Sequence, residues 1–475
     1  MSNLPEEFGY QGYIREKIVK LLRTGVLAKP GSGKTRPIID ALVELGRIYP
    51  PAEDQYKFPY GPILVVFTGS AVGTWKRQLP LWTEDPTLGD WIIHVSGSKH
   101  QRCIQWAGAE TSNAGIYIIN HSIFWRDYAM IKRVKWAVVI ADEYHKFMLR
   151  RKPGKTFKLF RSLTRHTEVV VLASGSSLRK NPSSMWTLFT IVAPGKLFGS
   201  YWKFIKTWCI VDDDGFGQVI LGPKNVEEFK KLVDKHHAYV PAAVVAEQVP
   251  EGRRQALYVE MTKTQGRVYN DLNAEMIAIL EDTIVVVKNP LAKTLKLRQL
   301  LCCPKIIDPS LDMGGGFEAI VDQLDVTPHC IIFVPFRPAC VLVQDELIRR
   351  GCRNVYMMRG GITPEQQTWE INAFKEMRGI MICTIAYAES FDLETCATSY
   401  FLGYDYSLDV NQQAEGRTQR AISDHEFVTW NYLRYNNTID EHFLTILSAD
   451  LRNVGRVQTR PREFIEWLKG HRGGT

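Results

Sequence analysis

The octet Ala28-Lys29-Pro30-Gly31-Ser32-Gly33-Lys34-Thr35 constrains this chain more than any other segment. It follows an apolar turn and precedes an apolar pattern of helical spacing from Pro37 to Leu45. Glycines let successive backbone N–H groups close around phosphate oxygens, and the N-terminus of the following helix favours negative charge. In such a loop Gly31, Ser32 and Gly33 wrap the phosphates and Lys34 contacts the β and γ groups. The Thr35 hydroxyl ligates Mg²⁺, a hard cation that takes oxygen ligands. The expected cofactors are therefore ATP and Mg²⁺.

Short β-branched runs recur between longer helical patterns: Ile63 to Phe67, Ile116 to Ile119, Ala137 to Ile140 and Val169 to Leu172. A second series comprises Cys330 to Val334, Val355 to Met358, Ile380 to Cys383, Ser399 to Leu402 and Phe427 to Tyr432. Such alternation predicts an α/β protein with two parallel sheets flanked by helices. Between the series, Phe229, Leu232 and Val233 and then Tyr269, Leu272, Met276 and Leu280 keep helical spacing. The predicted organisation is a first lobe over 1–222, a helical insertion over 223–296, a second lobe over 297–450 and a basic tail over 451–475.

The 475 residues allow two or three domains, and 45% hydrophobic with 23% charged residues excludes wholesale disorder. Fifty-nine Lys and Arg against 51 Asp and Glu leave +8, compatible with a polyanionic partner but insufficient to establish one. Nine cysteines without a CxxC pair, and a start lacking the basic and apolar parts of a signal peptide, point to a reducing, cytoplasmic setting. No membrane span is expected, since Ala278 to Val287 is interrupted by Glu281 and Asp282.

Asp142 and Glu143 stand directly after the run Trp136 to Ala141, at the carboxyl end of a predicted buried strand, where open α/β sheets bind ligands. Asp142 suits the Mg²⁺ shell and Glu143 suits orienting or deprotonating an attacking water, with His145 linking them to other elements. Arg417 and Arg420 lie three apart, on one face if their segment is helical. Their planar guanidinium groups suit charge developing on a γ-phosphate. A surface helix with two solvated arginines remains open here.

Taken together, these residues resemble superfamily 2 helicases, and among them the Snf2 group of DExH-type translocases. Tyr10-Gln11 resembles the adenine-reading glutamine, Trp75-Lys76-Arg77 with Trp82 resembles motif Ia, and Ile118 to Ser122 resembles motif Ib. Ala173 to Ser177 sits where motif III is expected, and Gln413 to Arg420 resembles motif VI. Leu297 to Pro304 is similar to the "LRQ-x-C-x-x-P" stretch and Thr438-Ile439-Asp440-Glu441 to the "TIDE" segment. Gly215-Phe216-Gly217 with Gly222, Asn225 and Glu227-Glu228 resembles the fork-remodelling and annealing branch. The chain departs from the family at Val240-Pro241-Ala242-Ala243 and at Ala388 to Leu393, which replaces a glycine-rich motif V.

The resemblance implies two RecA-like lobes that hydrolyse ATP between them. Gln11 and Gln413 join the nucleotide-binding set, and Arg417 and Arg420 act as arginine fingers when the lobes close. Sequence-blind phosphate contacts are implied at Lys76, Ser122, Arg337 and Thr384. The expected partner is double-stranded or branched DNA, in a compact phage or bacterial setting. A strand-separating DNA or RNA helicase, favoured by the Gln413 to Arg420 wording, and an ATP-dependent binding scaffold, favoured by the altered motif V, stay open. Cys302-Cys303 reads as buried structure, as do Trp136, Trp202 and Trp208. The basic run of Arg150, Arg151, Lys152, Lys155, Lys158, Arg161 and Arg165 reads equally as a solvated helix or a phosphate-facing surface.

Overall fold

The computed structural model describes residues 6–29, 31–46, 61–68, 72–84, 86–112, 114–148, 154–175, 183, 185–195, 199–213, 218–241, 244–245, 247–275, 277–279, 284–286, 290–387, 391–420, 423 and 425–441. Expectations for the tail from Arg452, for Gly215-Phe216-Gly217, for Ser176-Ser177 and for Arg150 to Lys152 lie outside them. The chain forms two compact units, the first running to Gln248 and the second beginning at Val249.

Six strands come first in the first unit: β1 (Arg23–Leu27), β2 (Ile63–Phe67), β3 (Ile92–Val95), β4 (Ile116–Asn120), β5 (Val138–Ala141) and β6 (Val169–Ser174). The hairpin of β7 (Cys209–Asp213) and β8 (Gln218–Pro223) stands apart as a two-stranded sheet, and β9 (His237–Tyr239) returns to the main one. The main sheet has the order β3-β4-β2-β5-β6-β1-β9, and every neighbouring pair is parallel. Strands β2, β5 and β6 are buried along their whole length, as expected when helices cover both faces. On one face Trp106, Tyr117 and Trp136 pack ring against ring.

Close packing at β1 holds the start of the glycine loop that follows it. Gly25 pairs with His237 across β1 and β9, and a Cβ there would lie 2.3 Å from His237 Cδ2. Only glycine fits, because the imidazole is fully buried and cannot swing away. The Arg23 guanidinium fastens the beginning of β1 by donating to the carbonyls of Thr164, Thr167 and Ile191.

The second unit contains β10 (Glu251–Val259), the antiparallel hairpin β11 (Ile277–Ile279) and β12 (Ile284–Val286), and then β13 (Cys330–Val334), β14 (Val355–Met358), β15 (Ile380–Thr384), β16 (Thr398–Phe401) and β17 (Phe427–Tyr435). Its main sheet is again wholly parallel, in the order β10-β17-β16-β13-β15-β14. A ladder of stacked rings, Phe333 on Phe401, Phe401 on Tyr432 and Tyr432 on Tyr404, ties four segments of one face. Cys302 and Cys303 are buried in this unit's core, and all nine cysteines are free thiols. The expected α/β class with two parallel sheets is therefore the observed one.

Three details differ from expectation. Residues 223–296 do not form one helical insertion: the helix Val226–His236 and β9 belong to the first unit, while β10 is an edge strand of the second sheet. The helical pattern around Tyr269 stops at Glu275, after which Ile277–Ile279 pairs as a strand. Trp202 is 46% exposed, because Phe204 and Ile205 define the buried face of the helix Tyr201–Trp208 and Trp202 falls on the outer one. Trp136 is buried as expected. Among the described residues, no helix is long and apolar enough to cross a membrane.

His237 makes the first unit sensitive to acid. Its Nδ1 donates to the Val233 carbonyl at 2.9 Å, and burial pushes its pKa from the ordinary 6.5 down to about 3. The unfolded chain therefore binds a proton between those values that the folded chain refuses. The stabilising contribution is complete above pH 6.5 and is lost as pH falls through the folded value, at about 1.4 kcal/mol per pH unit. Denaturant unfolding of the wild type should weaken from pH 7 to pH 5, and His237→Phe should flatten that dependence.

Candidate nucleotide site

In the first unit, β5, β6 and β1 are consecutive neighbours and run parallel, so their carboxyl ends share one sheet edge. That edge receives the loop Gly31 to Thr35 after β1, Asp142 and Glu143 after β5, and Ser174 and Gly175 at the end of β6. Gly31 and Gly33 take φ of 86° and 66°, the left-handed region that glycine enters without strain. Thr35 is the first residue of the helix Thr35–Glu44, and Lys34 stands at its N-cap position without a side-chain capping bond. Ser32 is buried, and its hydroxyl has no hydrogen-bond partner among the described residues. An orphaned buried donor in a left-handed glycine loop at a helix N-terminus fits a phosphate oxygen.

Side chains from distant segments fix this loop. Tyr10 donates its hydroxyl to the Ser32 carbonyl at 2.8 Å, and burial pushes the phenol up to about 12, which keeps it a donor. Gln11, expected to read adenine, is buried with both ends of its amide in use: Nε2 donates to the Gly33 carbonyl at 3.3 Å and Oε1 accepts from the Phe8 amide at 3.1 Å. A Cβ at Gly33 would come within 2.9 Å of that Nε2. Lys34 Nζ donates to the carbonyls of Ala28 and Lys29 and lies 3.9 Å from Glu143 Oε1.

Glu143 takes φ of 49°, an uncommon left-handed conformation for a side-chain-bearing residue and a form of strain that collects at functional sites. Its Oε2 accepts from the Gly175 amide at 3.3 Å and lies 3.2 Å from His145 Nδ1. The same nitrogen lies 2.7 Å from Ser174 Oγ, so His145 does link the acids to β6. Burial opposes the ionised form of Glu143, but the Lys34 charge and the His145 hydrogen bond outweigh it and hold the carboxyl below its ordinary range. For Asp142, burial first and the Glu143 charge second push the pKa up. Its Oδ2 accepts from Trp75 Nε1 at 3.2 Å, a contact across 67 positions that nothing in the local sequence announces. The donor set of Thr35 hydroxyl and Asp142 carboxylate is oxygen only, which suits Mg²⁺ completed by water and phosphate. Among the described residues, no group of three or more His, Cys, Asp and Glu could hold a metal by itself.

The second unit presents the arginine segment. The helix Leu408–Glu415 ends before it, so Arg417 and Arg420 sit on the following turn rather than on one helical face. Thr418 closes that turn by donating to the Glu415 carbonyl and accepting from Trp430 Nε1. Both arginines converge on one carboxylate, with Arg420 Nη2 2.6 Å and Arg417 Nη1 3.9 Å from Asp392 Oδ1. Gln413 is buried on the helix. Glu415, 3% exposed, accepts a two-armed pair from Arg254 on β10 at 2.5 and 2.6 Å and a hydrogen bond from the Tyr432 hydroxyl at 2.7 Å.

The expected nucleic-acid contacts also fall on carboxyl edges. Lys76 is exposed on the helix after β2, and Ser122 donates its amide to the Asn120 side chain after neighbouring β4. Arg337 opens the helix after β13 and is exposed, while Thr384 ends neighbouring β15 and is buried. Lys155, Lys158, Arg161 and Arg165 line an exposed face of the helix Lys155–Thr164 and its end. Segments Leu297 to Pro304 and Thr438 to Glu441 meet in the second unit, where Arg298 and Asp440 line one small cavity.

Residues 18–306 match the family model described as the SNF2-related domain, and residues 316–422 match the helicase conserved C-terminal domain. The chain belongs to the SNF2-related family. Human DNA excision repair protein ERCC-6 is 25% identical over 297 residues, covering 57% of this chain and 19% of that protein. Transcription regulatory protein SNF2 of Saccharomyces cerevisiae is 26% identical over 467 residues, covering 91% of this chain and 26% of that protein. This SNF2-related chain thus spans about a fifth to a quarter of the length of these curated relatives. A solved Sulfolobus solfataricus SWI2/SNF2 ATPase core in complex with dsDNA covers 98% of both chains at 17% identity, with a TM-score of 0.42.

Four residues that touch the site had no assigned part in it from sequence: Trp75 on Asp142, Asp392 on the arginines, and Arg254 and Tyr432 on Glu415. Glu415→Ala would strip a charge-assisted partner from Arg254 and Tyr432 together, a loss of about 1–3 kcal/mol. The second unit's denaturant midpoint should drop accordingly, with the signal of the first unit unchanged.

Proposed function

We propose that the chain is an ATP-dependent DNA translocase of the Snf2 group, coupling ATP hydrolysis to movement on duplex or branched DNA. The observation that carries this reading is the shared edge of β5, β6 and β1, where a left-handed glycine loop with an orphaned Ser32 hydroxyl faces Asp142, Glu143 and Lys34. In this reading the loop amides, Ser32 and Lys34 bind the triphosphate. Thr35 and Asp142 hold Mg²⁺, which when bound neutralises phosphate charge and orients the transferring group. Glu143, kept ionised by Lys34 and His145, orients the attacking water by accepting its hydrogen bond. Gln11 holds the helix Gly9–Leu21 against the loop and thereby sets where a base would lie. Arg417 and Arg420 supply planar positive charge to the γ-phosphate in the transition state.

Movement follows if nucleotide and DNA bias the same conformational change. ATP can favour one state only through contacts that differ between states, and the arginines are the groups that would provide them. Lys76, Ser122, Arg337 and Thr384 are proposed to hold phosphates, and such contacts carry no sequence information. Relatives whose names refer to chromatin remodelling, transcription and excision repair agree with a duplex-directed motor.

The test is one ATPase assay with duplex DNA, forked DNA, single-stranded DNA and RNA. The proposal predicts stimulation by duplex or forked DNA without need of a free end. Stimulation confined to single strands, with release of a labelled oligonucleotide, would make it a strand-separating helicase. DNA binding without turnover would make it a scaffold. Lys34→Ala should abolish turnover while the chain stays folded, and Arg420→Ala should bind nucleotide but hydrolyse it about a thousandfold more slowly.

A further inference from the structure

Two arginine–carboxylate pairs stand within the second unit, and they are built differently. Arg254 and Glu415 form a two-armed pair at 2.5 and 2.6 Å around a carboxylate only 3% exposed, reinforced by Tyr432. Such planar, doubly bonded pairs are the strong ones, and this one fastens β10 to the helix Leu408–Glu415. Arg420 Nη2 lies 2.6 Å from Asp392 Oδ1, the buried Nε of Arg420 has no partner among the described residues, and the Asp392 side chain is 24% exposed. Two guanidinium groups share this carboxylate, and a pair partly open to solvent is held less firmly than the buried two-armed one.

The backbone around Asp392 is joined to the same arginines. Arg417 Nη1 donates to the Phe391 carbonyl at 2.9 Å, and the Leu393 amide donates to the Arg417 carbonyl at 3.0 Å. These bonds tie Phe391 and Leu393 to Arg417 and so carry the Asp392 carboxylate within reach of both guanidinium groups.

We propose that Asp392 is a positioning residue that keeps Arg417 and Arg420 idle: a carboxylate counter-ion whose hold must be exchanged for the γ-phosphate before hydrolysis. The inference rests on the reading of this chain as an ATPase completed by those arginines. It follows from charge alone, since a guanidinium held by a carboxylate in its own lobe offers less of its charge to phosphate. While that hold lasts the arginines are withheld from phosphate, so Asp392 keeps turnover low when DNA is absent.

The test compares the full chain with Asp392→Asn and Asp392→Glu in steady-state ATP hydrolysis, with and without duplex DNA. Asp392→Asn keeps the size and loses the charge. It should raise turnover without DNA about two- to fivefold, the rate equivalent of a partly exposed ion pair, and should lower the DNA stimulation ratio and the apparent KM for ATP. Asp392→Glu, which restores a carboxylate, should bring the DNA-free rate back toward wild type. If Asp392→Asn slows turnover equally with and without DNA, the carboxylate is a strut that the arginines need, and the proposal is overturned. An unchanged DNA-free rate, or an Asp392→Glu variant as fast as Asp392→Asn, overturns it as well. Lys34→Ala in the same assay separates the two levels: turnover by that variant defeats the ATPase reading itself, whereas a silent Lys34→Ala beside a wild-type-like Asp392→Asn defeats only the role of Asp392.

Discussion

Lys34 and Glu143 face each other across 3.9 Å at the carboxyl edge of a parallel sheet, and the chemistry proposed for the first lobe depends on that encounter. The lysine keeps the carboxylate ionised against the cost of burial, and the carboxylate keeps the lysine folded over its loop. Neither could be placed by its own segment. Their meeting is a consequence of strand order, because β5, β6 and β1 are neighbours with a common direction, and three loops separated in sequence must therefore emerge side by side. Small structural choices protect this geometry. Gly25 lets β9 close against β1, Arg23 anchors the start of β1, and Tyr10 and Gln11 tie the helix Gly9–Leu21 to the carbonyls of Ser32 and Gly33.

The second lobe repeats the architecture but uses its charges otherwise. Glu415 and Arg254 are locked together so that the helix Leu408–Glu415 has a fixed relation to β10 and β17, and its following turn delivers Arg417 and Arg420 to a common carboxylate. A permanent pair thus carries a releasable one. That arrangement gives a physical sense to the departure from the family's glycine-rich motif V. Phe391-Asp392-Leu393 offers a side-chain carboxylate and two backbone groups to the arginines, where glycines would offer backbone alone.

Much of the first candidate site was legible in the chain because its segments are written locally. Gly31 to Thr35 and Asp142-Glu143 are short, compositionally distinctive and placed against β-branched runs, so their element context could be read with them. The strands buried on both faces were legible for the same reason. Strand β10 was not, because Glu251 to Gln255 are exposed and polar on an edge, without the apolar signal that marks a buried strand. The helix before β11 was overextended, since Met276 and Leu280 continue the helical spacing of Tyr269 and Leu272 in the sequence, whereas Ile277 and Ile279 alternate as a strand does. The grip of Trp75 on Asp142 and of Asp392 on Arg420 lay beyond reach, as both depend on which loops the folded sheets bring together.

The central claim, that the loop Gly31 to Thr35 receives the phosphates of a nucleotide, is tested most directly by amide hydrogen exchange on the full chain with and without a non-hydrolysable ATP analogue and Mg²⁺. Strong protection of the amides from Gly31 to Thr35, absent in Lys34→Ala, is the predicted result. Exchange there that stays unchanged while the analogue demonstrably binds the chain would contradict it.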